Sequence, residues 1–172
     1  MIRSAVRLTL ASCLALALLA LAACGSGSDS QKGPGGTVGW EQGGEFDKKY
    51  SIAEFDKIKG VYAKTEEITP LPGMAGGLAV VVKDRADGQP ITVVLGPKSY
   101  VKEGLDKLAL RDGERLNAYG AWARIGERDV LIATKLKKTE KEFLKVRRTK
   151  DGKPFWAMTP EEMAKETDAG DE

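Results

Sequence analysis

Histidine is absent from the chain, and cysteine occurs only at positions 13 and 24. The first absence removes the commonest general base, the commonest transition-metal ligand and any His-ligated haem. No Ser-His-Asp or Cys-His catalytic set can be assembled. A disulfide needs two cysteines, and Cys13 lies inside a removable leader, so the mature body is expected to hold together by packing alone. A charge excess is missing as well. The chain has 27 basic and 25 acidic residues. Arg3 and Arg7 leave with the leader, and what remains is neutral. A neutral body gives no general electrostatic case for nucleic acid. No segment repeats at a fixed period.

What is present starts at the N-terminus. Arg3 and Arg7 precede an uncharged, mostly apolar run over residues 8–23, followed by Cys24 and then Gly25-Ser26-Gly27-Ser28. A basic tip, a short apolar stretch and small residues at its end are the layout of a secretory signal. The run falls short of the roughly 20 residues needed to cross a ~30 Å hydrocarbon core. Leu21-Ala22-Ala23-Cys24 resembles the lipobox of bacterial lipoproteins. That resemblance implies a signal peptide over 1–23, a diacylglycerated Cys24 thiol and a fatty-acylated (palmitate-type) new amino terminus. Two or three acyl chains hold a protein stably on a bilayer where one does not. The expected location is the cell envelope, facing the periplasm. Gly25 rather than aspartate after the cysteine favours the outer over the inner membrane.

Residues 24–45 are rich in Gly and Ser and are expected to form a flexible tether. Residues 46–57 are expected to be a docking segment, with Ser51-Ile52-Ala53-Glu54 as a capping box. The folded body is expected over 58–157. Strands are expected at 58–68, 78–82, 91–95, 115–124 and 130–136, the second and third joined at Asp87-Gly88, a strong hairpin signal. Leu116, Ala118, Gly120 and Trp122 alternate with more polar neighbours and should share one face. Residues 97–105 read as a helical or irregular connection and 107–110 as a brief strand. A strand at 143–148, turning at Asp151-Gly152 into Pro154-Phe155-Trp156, adds a hairpin. Thr159-Pro160-Glu161-Glu162 opens a short helix over 158–172 that ends in an acidic tail. The fold class expected is mainly β: a small five-stranded OB-like β-barrel with an extra C-terminal hairpin and a short terminal helix.

Thr69-Pro70-Leu71-Pro72-Gly73-Met74, Leu95-Gly96-Pro97 with Tyr100 after it, Asp112-Gly113, and Asp151-Gly152-Lys153-Pro154-Phe155-Trp156 together resemble the OB-like domain of the MamS/MamX magnetosome proteins. The likeness spans about 58–156 and implies an OB-like fold and an exported envelope protein. A histidine that the pattern carries near Gly77-Leu78-Ala79 is missing here. Val146-Arg147-Arg148 stands where the pattern often has Leu-Arg-Asp, and the Cys-x-x-Cys-His haem motif is absent.

Gly73-Met74-Ala75-Gly76-Gly77 lacks the Gly-Lys-Ser/Thr ending of a phosphate loop and reads as a wide connection. Loops at the mouth of an OB barrel bind ligands, which makes Met74, Tyr100 and Trp122 the candidate ligand-binding residues, with core packing as the competing role. Residues 135–153 hold nine basic and three acidic side chains near Phe143, Phe155 and Trp156. Phosphate contacts plus stacking are how single-stranded nucleic acid is held, so an oligonucleotide- or polyanion-binding OB-fold is one alternative. A hydrolase using carboxylates in the barrel mouth is another. The function expected is a non-catalytic, lipid-anchored binding or assembly module. Its expected partners are the bilayer, through acylated Cys24, and an envelope protein or glycan, with no nucleic acid, metal or cofactor.

Overall fold

The computed structural model describes residues 36–168; the leader and Cys24 lie outside them. The described chain is mainly β. Its strands are β1 Phe55–Ile68, β2 Gly77–Asp84, β3 Pro90–Pro97, β4 Arg115–Ile125, β5 Arg128–Lys137 and β6 Phe143–Lys145. Helix α1, Lys98–Leu108, follows β3, and α2, Pro160–Asp168, follows β6. The sheet order is β3-β2-β1-β4-β5-β6, and neighbours in that order run antiparallel. One further pairing is parallel: Val93 and Val94 of β3 lie opposite Leu131 and Ile132 of β5. The pairings therefore run in a ring from β1 through β2, β3, β5 and β4 back to β1.

Most of these elements were expected, with shifted ends. β1 begins at Phe55 rather than 58, and its first half pairs with β4 while its second half pairs with β2. The β2–β3 turn uses Asp87-Gly88, with Gly88 at φ +76 as an L-residue rarely is. The main core gathers Ile58, Val80, Val82, Val93, Leu95, Leu116, Leu131 and Leu136 from the sheet, with Val101, Leu105 and Leu108 from α1. Each such side chain contributes about 1.5–3 kcal/mol on burial.

Four expectations are corrected. Residues 107–110 are not a strand: α1 continues to Leu108, because Val101, Leu105 and Leu108 recur at helical spacing on its buried face. Ala109 then ends the helix in the left-handed region at φ 45. The C-terminal hairpin keeps its turn at Asp151-Gly152, with Arg148 N–H donating to Lys153 O at 2.9 Å and Phe155 N–H to Val146 O at 3.1 Å on either side of the bridge Arg147 to Pro154, but its regular strand shortens to the three residues of β6. Val146 and Arg147 both turn their N–H groups to the Thr134 carbonyl instead, at 2.8 and 3.2 Å, and Phe155–Ala157 closes into a 3-10 turn. Ser51 makes no side-chain cap to the 3-10 turn Ile52–Glu54. The tether expected over 24–45 gives way within the described residues, since Trp40 is fully buried against the body. The terminal helix is capped as expected, and reciprocally: Thr159 N–H donates to Glu162 Oε2 at 3.0 Å, and Glu162 N–H to Thr159 Oγ1 at 3.3 Å.

Candidate functional site

The outer surface of the sheet begins apolar. Val94, Val130, Ile132 and Ile125 point away from the main core and form a second cluster with Trp40 and Phe46. The Trp40 and Phe46 rings meet edge to face at 4.9 Å, and Trp156 adds a third ring 6.3 Å from Trp40. The indole donors are used: Trp40 Nε1 donates to Ala75 O at 2.9 Å and Trp156 Nε1 to Trp40 O at 2.8 Å. Two glycines make room for this clasp. A Cβ on Gly77 would overlap the Trp40 ring, and one on Gly96, at φ +155, would overlap Trp156.

Arg147 lies beneath the clasp, 2 % exposed. Its Nη1 donates to Asp47 Oδ1 at 2.5 Å and to Gly152 O at 2.9 Å, while the Phe46 and Trp156 rings flank its guanidinium. Nε and Nη2 are buried without a protein partner. Burial pushes the Arg147 pKa down, and the Asp47 hydrogen bond opposes it. Tyr50 Oη donates to Thr149 O at 2.8 Å. Burial pushes the Tyr50 phenol up to about 12, against the lowering influence of Arg147.

Met74 and Tyr100, two of the three candidate ligand-binding residues, belong to this clasp. Met74 packs on the second cluster beside Gly39. Tyr100 stacks edge to face on Trp156 at 5.6 Å and offers its hydroxyl to Met163 Sδ at 4.0 Å. Burial raises its phenol pKa. Both join the N- and C-terminal segments to the body; Met74 is half-buried there and Tyr100 keeps 36 % of its surface exposed.

Trp122 is not brought together with them. On β4 the expected alternation holds: Leu116, Ala118 and Gly120 are buried, and Trp122 packs its ring against the end of the main core. Its Nε1 donates to Asp56 Oδ2 at 3.1 Å. The ring borders an open groove of about 640 Å³ lined by Glu54, Trp122, Ala123, Arg124 and Asp129. Arg124 Nη1 spans both Asp129 carboxylate oxygens at 3.1 and 3.2 Å. An apolar ring beside a fixed guanidinium and carboxylates can bind a ligand with one flat apolar face and hydroxyl or amide groups at its edge.

The basic stretch over 135–153 is divided by the fold. Lys135, Lys137 and Lys145 stand on the outer surface of β5 and β6, Arg147 is internal, and Arg148 pairs with Asp151 and Glu166. The internal arginine was not legible in a run of basic residues; the adjacent Phe155-Trp156 was its faint signal. The carboxylate pairs of the sequence do not converge. Glu66 pairs with Lys64, Glu67 with Lys98, and Glu162 with Lys153. Among the described residues no three His, Cys, Asp or Glu side chains are grouped to hold a metal ion, and no helix is long and apolar enough to cross a membrane.

Comparison with known proteins adds one finding. No curated protein and no solved structure matches the chain. The MamS/MamX magnetosome protein family matches residues 54–143, from the end of the 3-10 turn before β1 to the start of β6. That is just over half of the chain and includes β1 to β5, α1 and Trp122. This protein belongs to the MamS/MamX magnetosome protein family.

Proposed function

We propose that this chain is a non-catalytic, lipid-anchored protein of the cell envelope whose OB-like barrel is a binding or assembly module. Family membership suggests association with magnetosomes. Support for the OB-like reading comes from the ring of pairings β1-β2-β3-β5-β4 and from α1 between β3 and β4. Support for the anchor is the lipobox-like Leu21-Ala22-Ala23-Cys24, and Gly25 favours the outer membrane. The observation that carries the binding role is the Trp122 groove. Trp122 packs on the main core near the end of β4 and borders the groove; in the OB-like reading this end corresponds to the barrel mouth, where such folds take ligands. A nearly neutral, aromatic-rimmed groove suits an envelope protein or a glycan.

Two measurements test this reading. The intact mass of protein from the membrane fraction should correspond to a chain that starts at an acylated Cys24, and Cys24→Ala should retain its leader. Unmodified Cys24 on a chain starting at Met1 would overturn the anchor. A photo-crosslinking residue at position 122 should give one recurrent adduct in intact cells and at position 100 none. Equal or absent adducts at the two positions would overturn the groove as the binding site.

A further inference from the structure

Strand β1 is flanked on both sides for only part of its length. Its first half pairs with β4, and that side ends where Tyr62 N–H donates to Glu114 O and Gly113 N–H to Tyr62 O, both at 2.8 Å. From there to Ile68, β1 pairs with β2 alone, and among the described residues no strand lies along its other edge. An open edge offers its backbone donors and acceptors to a further strand. Lys64 and Thr65 are exposed on it. Beside it a groove of about 480 Å³ reaches α1, bordered by Tyr62, Thr65, Leu78, Leu105 and Leu110.

The side chains of this edge select the strand that fits. Opposite residues of paired strands share a face, so Tyr62, Thr65 and Glu67 follow Val82, Val80 and Leu78 on the core side. Lys64, Glu66 and Ile68 take the outer side, where Ile68 packs on the second cluster. Lys64 and Glu66 pair there at 3.0 Å and stay partly exposed. A lysine on an open edge deters addition of other strands. Here a carboxylate follows two residues on, on the same face, and a second copy of this strand answers both charges.

A twofold axis between antiparallel copies must pass through a residue that faces itself, because only then do outer residues meet outer residues. Centred on Lys64 or on Glu66, the pairing opposes like charges. Centred on Thr65, it sets Lys64 of each copy opposite Glu66 of the other and Thr65 opposite Thr65, both favourable cross-strand pairs. The ion pair within each chain stays, and the four charges alternate in sign around the axis. The same centre fits the open length: residues 63–67 of the two copies run side by side until each meets the closed position at the other's Tyr62.

We propose that two copies of this chain join edge to edge through β1, antiparallel and centred on Thr65, each strand lying along the other's groove. The contact is separate from the Cys24 anchor and from the Trp122 groove.

The test follows the full chain by sedimentation in non-ionic detergent, with micelles in excess, at rising protein concentration. The unaltered chain should pass from monomer to dimer. Lys64→Glu and Glu66→Lys each turn both attractive cross-strand pairs into repulsive ones, so each alone should dimerise at least about tenfold more weakly. Mixed in equal amounts, the two variants regain complementary charges and should form a mixed dimer as strong as the original. Lys64→Glu/Glu66→Lys should dimerise with itself as well. Hydrogen exchange within 63–67 should slow severalfold on dimerisation while that of Phe143–Lys145 stays unchanged. A monomer at every concentration, a dimer indifferent to both single reversals, or no association on mixing overturns the proposal. A purified monomer whose edge amides are protected only in membranes that hold other proteins assigns the edge to a different partner and overturns it too. The intact mass of the same sample reports whether Cys24 is acylated, so failure of the anchor and failure of this contact are read apart.

Discussion

Two halves of one outer surface, built on the same strands, have opposite fates. Over β3 and the first part of β5, Val94, Val130 and Ile132 face outward and are sealed by Trp40 and Phe46. Further along β5 the outward residues are Lys135 and Lys137, half-buried outside the aromatic clasp, with Lys135 Nζ 4.8 Å from the Tyr119 centroid. The change falls at Thr134. Tyr119 pairs with Lys135 and Gly120 with Ala133, so Thr134 is an extra residue on β5, a bulge, with its hydroxyl donated to Tyr119 O at 3.2 Å. Side chains alternate with period two, so one inserted residue exchanges the two faces. Because of it Leu136 points into the core and the lysines point out. The difference teaches that a single bulge lets one strand serve a sealed apolar surface and a half-buried basic one.

The strongest way to break the contrast is Leu136→Asp. It puts an unpaired carboxylate at a fully buried position on the core side of β5, and a thermal scan followed by circular dichroism should show no cooperative transition. Trp40→Ala strips the seal from the apolar half and leaves the basic half intact. It should lower stability by about 3–5 kcal/mol in urea denaturation, by loss of a fully buried ring. A stability unchanged within error would mean that the N-terminal segment is not docked.

Alkali probes the rim of the clasp. Folding raises the Tyr50 pKa from 10.0 to about 12 by burial, so the fold favours the protonated phenol. That contribution is complete below pH 10 and is lost as the pH rises toward 12. Tyr50→Phe should cost about 1 kcal/mol at neutral pH through the lost bond to Thr149 O, and its stability should fall less steeply between those two pH values. The smallest effect belongs to the basic half. Lys57→Gln/Lys59→Gln should change stability by no more than about 0.5 kcal/mol, as exposed substitutions do. A large loss would mean that these lysines support the fold rather than face solvent.

Much of the fold was legible because it follows from local chemistry. Asp87-Gly88 made the hairpin, and the alternation from Leu116 to Trp122 oriented β4. Residues 107–110 misled because four residues suit either period, and only packing against the sheet chose the helix. Met74, Tyr100 and Trp122 were picked as one group from loop positions and aromatic type. The structure places the first two in the clasp and leaves Trp122 at the groove, because Trp156 and Trp40 reach Tyr100 and Met74 from segments 116 residues apart. Trp40 itself was hidden in a Gly-rich stretch whose composition reads as linker.

By itself, the sequence determined the mainly β class, the order of the strands, the capped terminal helix and the absence of imidazole chemistry, since each depends on residue type and near neighbours. Only the tertiary structure decided which tryptophan is sealed, that Arg147 is internal, and that lysines distant in the chain share one face. Those outcomes depend on register, and register in β5 turns on one extra residue that a period-two pattern cannot reveal.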